Sequence, residues 1–409
     1  MAPYARRKNC LVCESDALVQ FLDLGAMPPA NAFLTSEELQ KPEERFPLTV
    51  SFCTDCALVQ TQDVVDPAIL FKDYVYMTSG SPPLVQHFVD LAEKLKKDFS
   101  LVKSDVVMEI GSNDGTFPAA LKDDCTVVGI EPAHGLAEMS RKSGVQTEEV
   151  FFNAQVAETL REKYGKARII LAANVFAHLE NLQDVCTGIE LLLRDDGVFV
   201  MEAHWVGNLI GEGGFDQIYH EHLCYYSLTA LITLFKRFNL HIVDVEYIST
   251  HGQSLRVYVR KGGDIKASVG TILASEKELG LDSLATFQLF SERVARNKEE
   301  IIETIRRLKA QGARIVGYGA PAKGNTLLNY CGIGTESIEY IGDATPLKHG
   351  RYSPGMHIPI VPVERIRADV PDYALLLAWN YAPQILEKEK ELREKGTQFI
   401  IPVPQVRIV

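Results

Sequence analysis

Between positions 84 and 99 the apolar residues Leu84, Phe88, Leu91, Ala92, Leu95 and Phe99 recur at helical spacing. Lys94, Lys96, Lys97 and Asp98 fall largely on the opposite side, which predicts an amphipathic helix. The rhythm then changes. Apolar runs at 106–110, 126–130, 168–173 and 198–202 are strand-sized and separated by helix-length stretches, the pattern of a parallel sheet with crossover helices. Two more β-rich runs, His241–Ile248 and Ser254–Arg260, flank Thr250-His251-Gly252-Gln253 and predict a terminal antiparallel hairpin. Residues 268–311 are rich in Glu, Lys, Arg, Leu and Ile and lack proline, which predicts one or two long helices. After Gly312 the alternation restarts, with strands expected at 313–317, 338–341 and 374–378 and a helix over 325–330. No period of 20 to 50 residues recurs, so a solenoid is excluded. The expected fold class is α/β, divided into a small N-terminal module (1–70), a first α/β domain (71–262), a helical connection (263–311) and a second α/β domain (312–409).

Composition narrows the function classes. A chain of 409 residues has room for two to three domains, and 46% hydrophobic with 23% charged residues is an ordinary globular balance. Forty-two Lys and Arg against 54 Asp and Glu leave a net charge of −12. Such a surface repels polyanions, so neither nucleic acid nor membrane is an expected partner, while a local basic pocket for one phosphorylated ligand is compatible. The longest apolar run, 373–379, is far short of a membrane span, and the basic start MAPYARRKNC is not followed by an apolar leader. A cytoplasmic setting is expected, in which the eight cysteines are thiols or metal ligands. Oligomeric state is not fixed by these features; a monomer is compatible with them.

Four of those cysteines form two C-x2-C knuckles, Cys10/Cys13 and Cys53/Cys56. Two-residue spacing turns both sulfurs of a knuckle toward one ion, and four thiolates complete the tetrahedron of a closed Zn²⁺ site. The expected role is structural, since no ligand position stays open. The intervening LGAMPPANAF is expected to form its own loop.

The first strand of the α/β domain runs into Glu109-Ile110-Gly111-Ser112-Asn113-Asp114-Gly115-Thr116-Phe117, a glycine turn followed by a helix. Glycines there allow backbone conformations and close approach that a Cβ forbids, at the strand end where α/β sheets open their ligand crevice. Glu131 follows the next strand, where a carboxylate can accept from both ribose hydroxyls. A dinucleotide fold would show G-x-G-x-x-G, and this turn does not. Its E-x-G pattern resembles motif I of class I S-adenosylmethionine-dependent methyltransferases, which makes Glu109, Gly111, Asn113, Gly115, Phe117 and Glu131 the expected cofactor contacts. Phe152 and Asn153 are candidates for stacking on and hydrogen-bonding to adenine, Phe152 equally for the core, and Asn174 follows the strand at 168–173.

Beyond the strand at 198–202 comes Tyr219-His220-Glu221-His222, then Cys224-Tyr225-Tyr226. Three readings stand: a second metal site, which lacks the H-E-x-x-H spacing, a solvated loop, or an acid–base constellation favoured by its place beside the crevice. His178 is expected near the reacting group or as a helix cap. Asp73–Ser81, with Tyr76, Ser79 and Ser81, gathers hydroxyls in a lid or a linker. In the second α/β domain, Gly317-Tyr318-Gly319-Ala320-Pro321-Ala322-Lys323-Gly324-Asn325 places Lys323 and Asn325 at a helix start, where phosphate is attracted. A diphosphate cradle is the preferred reading. A purely structural turn and a dinucleotide site using Asp343 are the alternatives, with Trp379 and Asn380 bordering the same crevice or ending the core.

Taken in order along nearly the whole chain, the Cys knuckles, GAMPPANAF, YVYMTS, EIGSNDGTF, GIEPA, ANVFAHL, YHEHLCYYS, HGQSLRVYV, GYGAPAKGN and LLLAWN resemble bacterial sugar C-methyltransferases of the tetronitrose 3-C-methyltransferase type. The resemblance implies a zinc-binding N-terminal domain, a central S-adenosylmethionine domain and a C-terminal Rossmann-like domain that helps hold the substrate. It implies methylation of a carbon, typically C3 beside a C4 ketone, on a dTDP- or GDP-linked keto-deoxy sugar. By position it makes His222 the base, with Glu221 supporting it, Tyr219 close to the sugar, and His178 and Tyr76 in contact with the reacting keto-sugar. O- or N-methylation of a related sugar nucleotide and non-catalytic binding are the alternatives.

Overall fold

The computed structural model describes residues 3–70, 77–248 and 254–409. The N-terminal region is built on an antiparallel hairpin of β2 (Leu18–Met27) and β3 (Phe46–Cys53), flanked by β4 (Val59–Thr61), while β1 (Tyr4–Arg6) pairs with β5 (Asp63–Val65). The first four residues of LGAMPPANAF thus end a strand, and only from Pro28 is the segment a loop. Two consecutive prolines cannot donate to a ladder, which stops β2 there. The hairpin also explains the long gap between the knuckles: register pairs Leu18 with Cys53 and Met27 with Phe46, so the chain leaves the first knuckle and returns to form the second.

The central sheet has the order β12-β13-β10-β9-β6-β7-β8. Its parallel part is β6 (Val106–Ile110), β7 (Thr126–Ile130), β8 (Gln146–Glu148), β9 (Ala167–Ala173) and β10 (Leu193–His204). The predicted hairpin is present as β12 (His241–Ile248) and β13 (Ser254–Arg260), with its turn outside the described residues. β13 inserts antiparallel between β10 and β12. Its first six residues are all buried whereas β12 is half exposed, so the strand that can lose water on both sides takes the inner place. Strand order reverses across β6 and β9, which puts a crevice at their carboxyl ends. β11 (Cys224–Tyr225) leaves this domain to pair with β4, giving the N-terminal sheet the order β11-β4-β3-β2.

The region 268–311 resolves into two helices, Ala267–Glu278 and Leu284–Ala310, broken at Gly280 with φ +65°. The second buries Phe287, Phe290, Val294, Asn297, Ile301, Ile305 and Leu308 at helical spacing. Phe287 stacks on Phe52 of β3 with ring centroids 4.8 Å apart, and Asn297 Nδ2 donates to Pro402 O at 2.8 Å. One helix therefore ties the N-terminal sheet to the C-terminal one, and burying a side chain such as Phe287 contributes about 1.5–3 kcal/mol. The C-terminal sheet has the order β16-β15-β14-β17-β18-β19. Its strands are β14 (Ile315–Tyr318), β15 (Ile341–Asp343), β16 (Ile360–Pro362), β17 (Tyr373–Leu376), β18 (Gln398–Ile401) and an antiparallel edge β19 (Arg407–Ile408). β15 starts at the end of the expected 338–341 run, because the Ile341 and Gly342 positions are the ones that pair with Gly317 and Tyr318. A contiguous apolar core includes Phe52, Phe176, Phe287 and Leu375, so the three regions are not independently cored. No helix among the described residues is long and apolar enough to cross a membrane.

Candidate active site

The hairpin brings the knuckles face to face. Ligand atoms of Cys10, Cys13, Cys53 and Cys56 all lie within 4.8 Å of one another, with Cys10 Sγ 3.4 Å from Cys56 Sγ and Cys13 Sγ 3.6 Å from Cys53 Sγ. A tetrahedron with Zn–S bonds of about 2.3 Å has edges of about 3.8 Å, so the cage fits Zn²⁺. The sulfurs also show why a cation belongs there. A bond from Cys56 pulls the Cys10 thiol down, whereas burial pushes Cys53 up, and Cys10 and burial together push Cys56 up. All four can ionise together only beside a positive charge. The other four cysteines, Cys125, Cys186, Cys224 and Cys331, are buried thiols whose pKa burial raises, which leaves them unreactive.

At the carboxyl end of β6, Gly111 has φ +69°, and a Cβ there would stand 2.5 Å from Val175 Cγ2, just past β9. The crevice between the two strands is therefore narrow and needs glycine. Around it Glu109 Oε2, Ser112 Oγ and Asn174 Oδ1 are buried without a hydrogen-bond partner among the described residues. Glu109 is held well above the usual carboxylate range, first by burial and then by Glu131, Asp114 and Glu202. Unsatisfied acceptors crowded by acids fit a cationic ligand with donors of its own, as S-adenosylmethionine is. Glu131 is set in place by Asn113 N at 2.9 Å and Ala133 N at 2.9 Å, one on each oxygen. Gly111→Ala combines left-handed strain with that contact, each costing about 1–3 kcal/mol. Calorimetry is expected to show S-adenosylmethionine binding weakened at least about tenfold, with zinc content unchanged.

Other expected cofactor residues have different surroundings. Asn113 Oδ1 accepts from Thr78 N at 3.0 Å and Asp114 Oδ2 from Ser79 N at 2.8 Å, so the segment carrying Ser79 and Ser81 closes on the glycine turn through its backbone. Gly115, φ +81°, lets the turn pass Ser140. Phe117 is 1% exposed and meets Phe88 edge-on in the core. Phe152 is likewise a core residue, packed near Gly188, and Asn153 caps the helix Ala154–Tyr164 through Val156 N at 2.8 Å. Tyr76 lies outside the described residues.

Beside the crevice the polar cluster is assembled around His222. Its Nδ1 donates to Gln217 O at 3.3 Å, which leaves Nε2 as acceptor toward the Tyr219 hydroxyl at 3.0 Å. The His222 ring lies 4.1 Å from Tyr219, 5.0 Å from His178 and 5.8 Å from His204. His178 Nδ1 donates to Glu221 O at 2.7 Å, and burial lowers the His178 pKa, which favours the neutral ring. Glu221 accepts from Asn31 Nδ2 at 2.9 and 2.7 Å on its two oxygens, while burial pushes its pKa up to about 7. His220 turns away, donating to Phe46 O and Pro47 O at 3.1 Å each. The motif is therefore divided: Tyr219 and His222 face each other, Glu221 faces the N-terminal loop, and His220 pins that region down. His204, Gln217 and Asn31 were not singled out from sequence. His204 ends a strand whose carboxyl end borders the crevice, and Asn31 belongs to GAMPPANAF, but nothing local marks either as a neighbour of His222 or Glu221.

The C-terminal glycine turn is closed by its own side chains. Asp343 accepts from Ala320 N at 2.6 Å and Thr345 N at 2.7 Å, and Lys348 Nζ donates to Ala320 O at 2.8 Å. Asp343 is thereby engaged by the turn itself, against the dinucleotide alternative. Asn325, 1% exposed, donates through Nδ2 to Ala30 O at 2.7 Å. Lys323 Nζ has no hydrogen-bond partner among the described residues and stands 3.9 Å over the Trp379 ring, whose Nε1 donates to Asp216 Oδ2 at 2.6 Å. Burial lowers Lys323 to about 8, with Asp216 and Glu212 opposing that shift.

Family models match three successive stretches: a zinc binding domain at 10–71, a methyltransferase domain at 85–245 and a C-methyltransferase C-terminal domain at 249–404. C-methyltransferase NovU of Streptomyces niveus is 36% identical over 405 residues, covering 98% of this chain and 96% of its own. Among solved structures, an S-adenosylmethionine-dependent methyltransferase of Clostridium acetobutylicum is 12% identical, covering 48% of this chain and 96% of its own, with a TM-score of 0.34. Magnesium protoporphyrin IX methyltransferase of Synechocystis, with bound SAH, is 12% identical over 43% of this chain and 82% of its own, with a TM-score of 0.33.

Proposed function

Because the chain belongs to the C-methyltransferases, we propose that its methyl donor is S-adenosylmethionine and that its acceptor is a carbon, C3, of a dTDP- or GDP-linked 4-keto-deoxy sugar. The observation that carries this reading is the His222 cluster, which puts a basic nitrogen, a phenol and a second imidazole together, the last of them, His178, also bonded to the main chain of Asn174 at the end of β9. When bound, S-adenosylmethionine supplies a methyl group made electrophilic by a positive sulfur.

A sugar carbon is no nucleophile until it loses a proton, and an adjacent ketone acidifies that proton by delocalising the charge as an enolate. His222, its Nδ1 proton fixed on Gln217 O, presents Nε2 as the base, and Tyr219 is placed to orient that nitrogen. His178, neutral and anchored through Nδ1, is placed to donate to or orient the keto-sugar. Glu221 supports the loop and, with a pKa near neutrality, is placed to hold or release a proton. Lys323 is the cation for the sugar nucleotide's diphosphate, unbonded at the seam between the central and C-terminal regions.

Incubation with a dTDP- or GDP-linked 4-keto-deoxy sugar in heavy water, without methyl donor, is expected to erase the C3 proton signal by NMR. Methyl transfer with that proton retained would move the reading to O- or N-methylation.

A further inference from the structure

The N-terminal region carries more than a metal cage. Its loop after β2 crosses the molecule and is gripped by the C-terminal region: Ala30 O accepts from Asn325, Leu34 and Tyr352 exchange main-chain bonds at 3.0 and 2.9 Å, and Arg351 reaches Phe33 O at 3.3 Å. Pro28, Pro29 and Ala30 are buried, so the approach is stiff. None of these anchors uses the side chain of Asn31. That amide instead points at Glu221, 190 positions away in sequence, with its nitrogen 2.9 and 2.7 Å from the two carboxylate oxygens.

From this geometry we infer that Asn31 is a positioning residue of the methyl-transfer reaction, fixing the Glu221 carboxylate from the zinc-bearing region while the C-terminal domain fixes Asn31. The inference rests on the reading above in which Glu221 takes part in turnover. The argument is one of alternatives. A buried carboxylate without a donor would turn toward whatever group it could find, and two imidazoles belong to the same cluster: His178, already bonded to the main-chain O of Glu221, and His222 next to it in sequence. Asn31 offers both a side-chain and a main-chain donor, which fixes the carboxylate on the N-terminal loop, while Nε2 of His222 faces the Tyr219 hydroxyl. Burial and Asn31 are the influences that set the acidity of Glu221: burial raises it to about 7 and the Asn31 donors oppose the rise. Removing them moves the carboxyl further up.

The test is a double-mutant cycle on the full-length, zinc-loaded enzyme with Asn31→Ala, Glu221→Gln and both together, assayed with a dTDP- or GDP-linked 4-keto-deoxy sugar. Loss of one hydrogen bond to a charged group corresponds to about a tenfold to hundredfold effect. Asn31→Ala is expected to lower kcat by that factor with KM for the sugar nucleotide little changed, unchanged zinc content, and an acidic limb of the kcat–pH profile displaced to higher pH. In the Glu221→Gln background the same substitution is expected to cost almost nothing more. If Glu221→Gln is impaired and the two losses multiply, or if the pH profile of Asn31→Ala does not move, Asn31 acts elsewhere and the inference fails while the role of Glu221 stands. If Glu221→Gln retains full turnover, both fail.

Discussion

His222→Asn is expected to lower methyl transfer by about 10²–10⁴-fold, the usual worth of a general base, while S-adenosylmethionine binds as before. The split follows from where the two functions sit. In the proposed reading the cofactor is held by the turns after β6 and β9, at Gly111 and Asn174, whereas His222 is delivered by the loop that follows β10 and is held by Gln217 O and Tyr219. Asparagine keeps a polar side chain there but has no nitrogen able to accept a proton at neutral pH. Single-turnover assays with calorimetry on the same preparation decide the matter. Near-normal turnover would remove His222 from the role of base, and a parallel loss of cofactor affinity would mean that the substitution had disturbed the crevice. A heavy-water exchange run on the variant sharpens the result, because loss of exchange places the defect at proton removal.

Stripping the zinc is expected to do comparable damage by a different route. Structural four-cysteine sites contribute about 10–16 kcal/mol of apparent binding free energy, on the scale of the whole stability of a small domain. Without the cation the four sulfurs, three of them on buried cysteines, cannot all ionise, and the hairpin they close loses its end. The loop that carries His222 depends on that region three times over: β11 pairs with β4, His220 is bonded to Phe46 O and Pro47 O, and Glu221 is bonded to Asn31. Chelation, or Cys53→Ser, is therefore expected to reduce turnover by more than about a hundredfold and to lower the thermal midpoint. Cofactor binding should suffer less, since Gly111, Glu131 and Asn174 belong to the central sheet. Metal analysis alongside turnover checks this, and a zinc-free chain with full activity would reduce the cage to a bystander.

Much of this architecture is written locally in the chain, and the parts that are not share a reason. The inner stretches of β6, β7, β9 and β10 are buried and read as mostly apolar, strand-sized runs, and the cysteine knuckles need only a spacing. β16, β18 and β19 are short, and nothing in the few residues of each distinguishes a strand from a turn; their pairing is decided by neighbours far away in sequence. β13 looked like the second arm of an edge hairpin, and only its burial shows that it belongs inside the sheet. Phe117 and Phe152 sit beside motifs that suggest a ligand, and both side chains are buried, a property that a motif does not carry. Asn31 is the plainest case. Its residue type and loop setting predict a turn, and its partner Glu221 becomes visible only when three regions of chain are folded against one another.

The β4–β11 pairing constrains how the polypeptide can be made. A sheet whose first strand follows the first cysteine knuckle cannot be finished until Cys224 and Tyr225 have left the ribosome, so the amino-terminal part emerges with an unpaired edge and must wait for its own last strand. The metal can be captured early and the border completed late. For the same reason this part is no portable cassette: transplanted onto another methylase, it would arrive missing a strand.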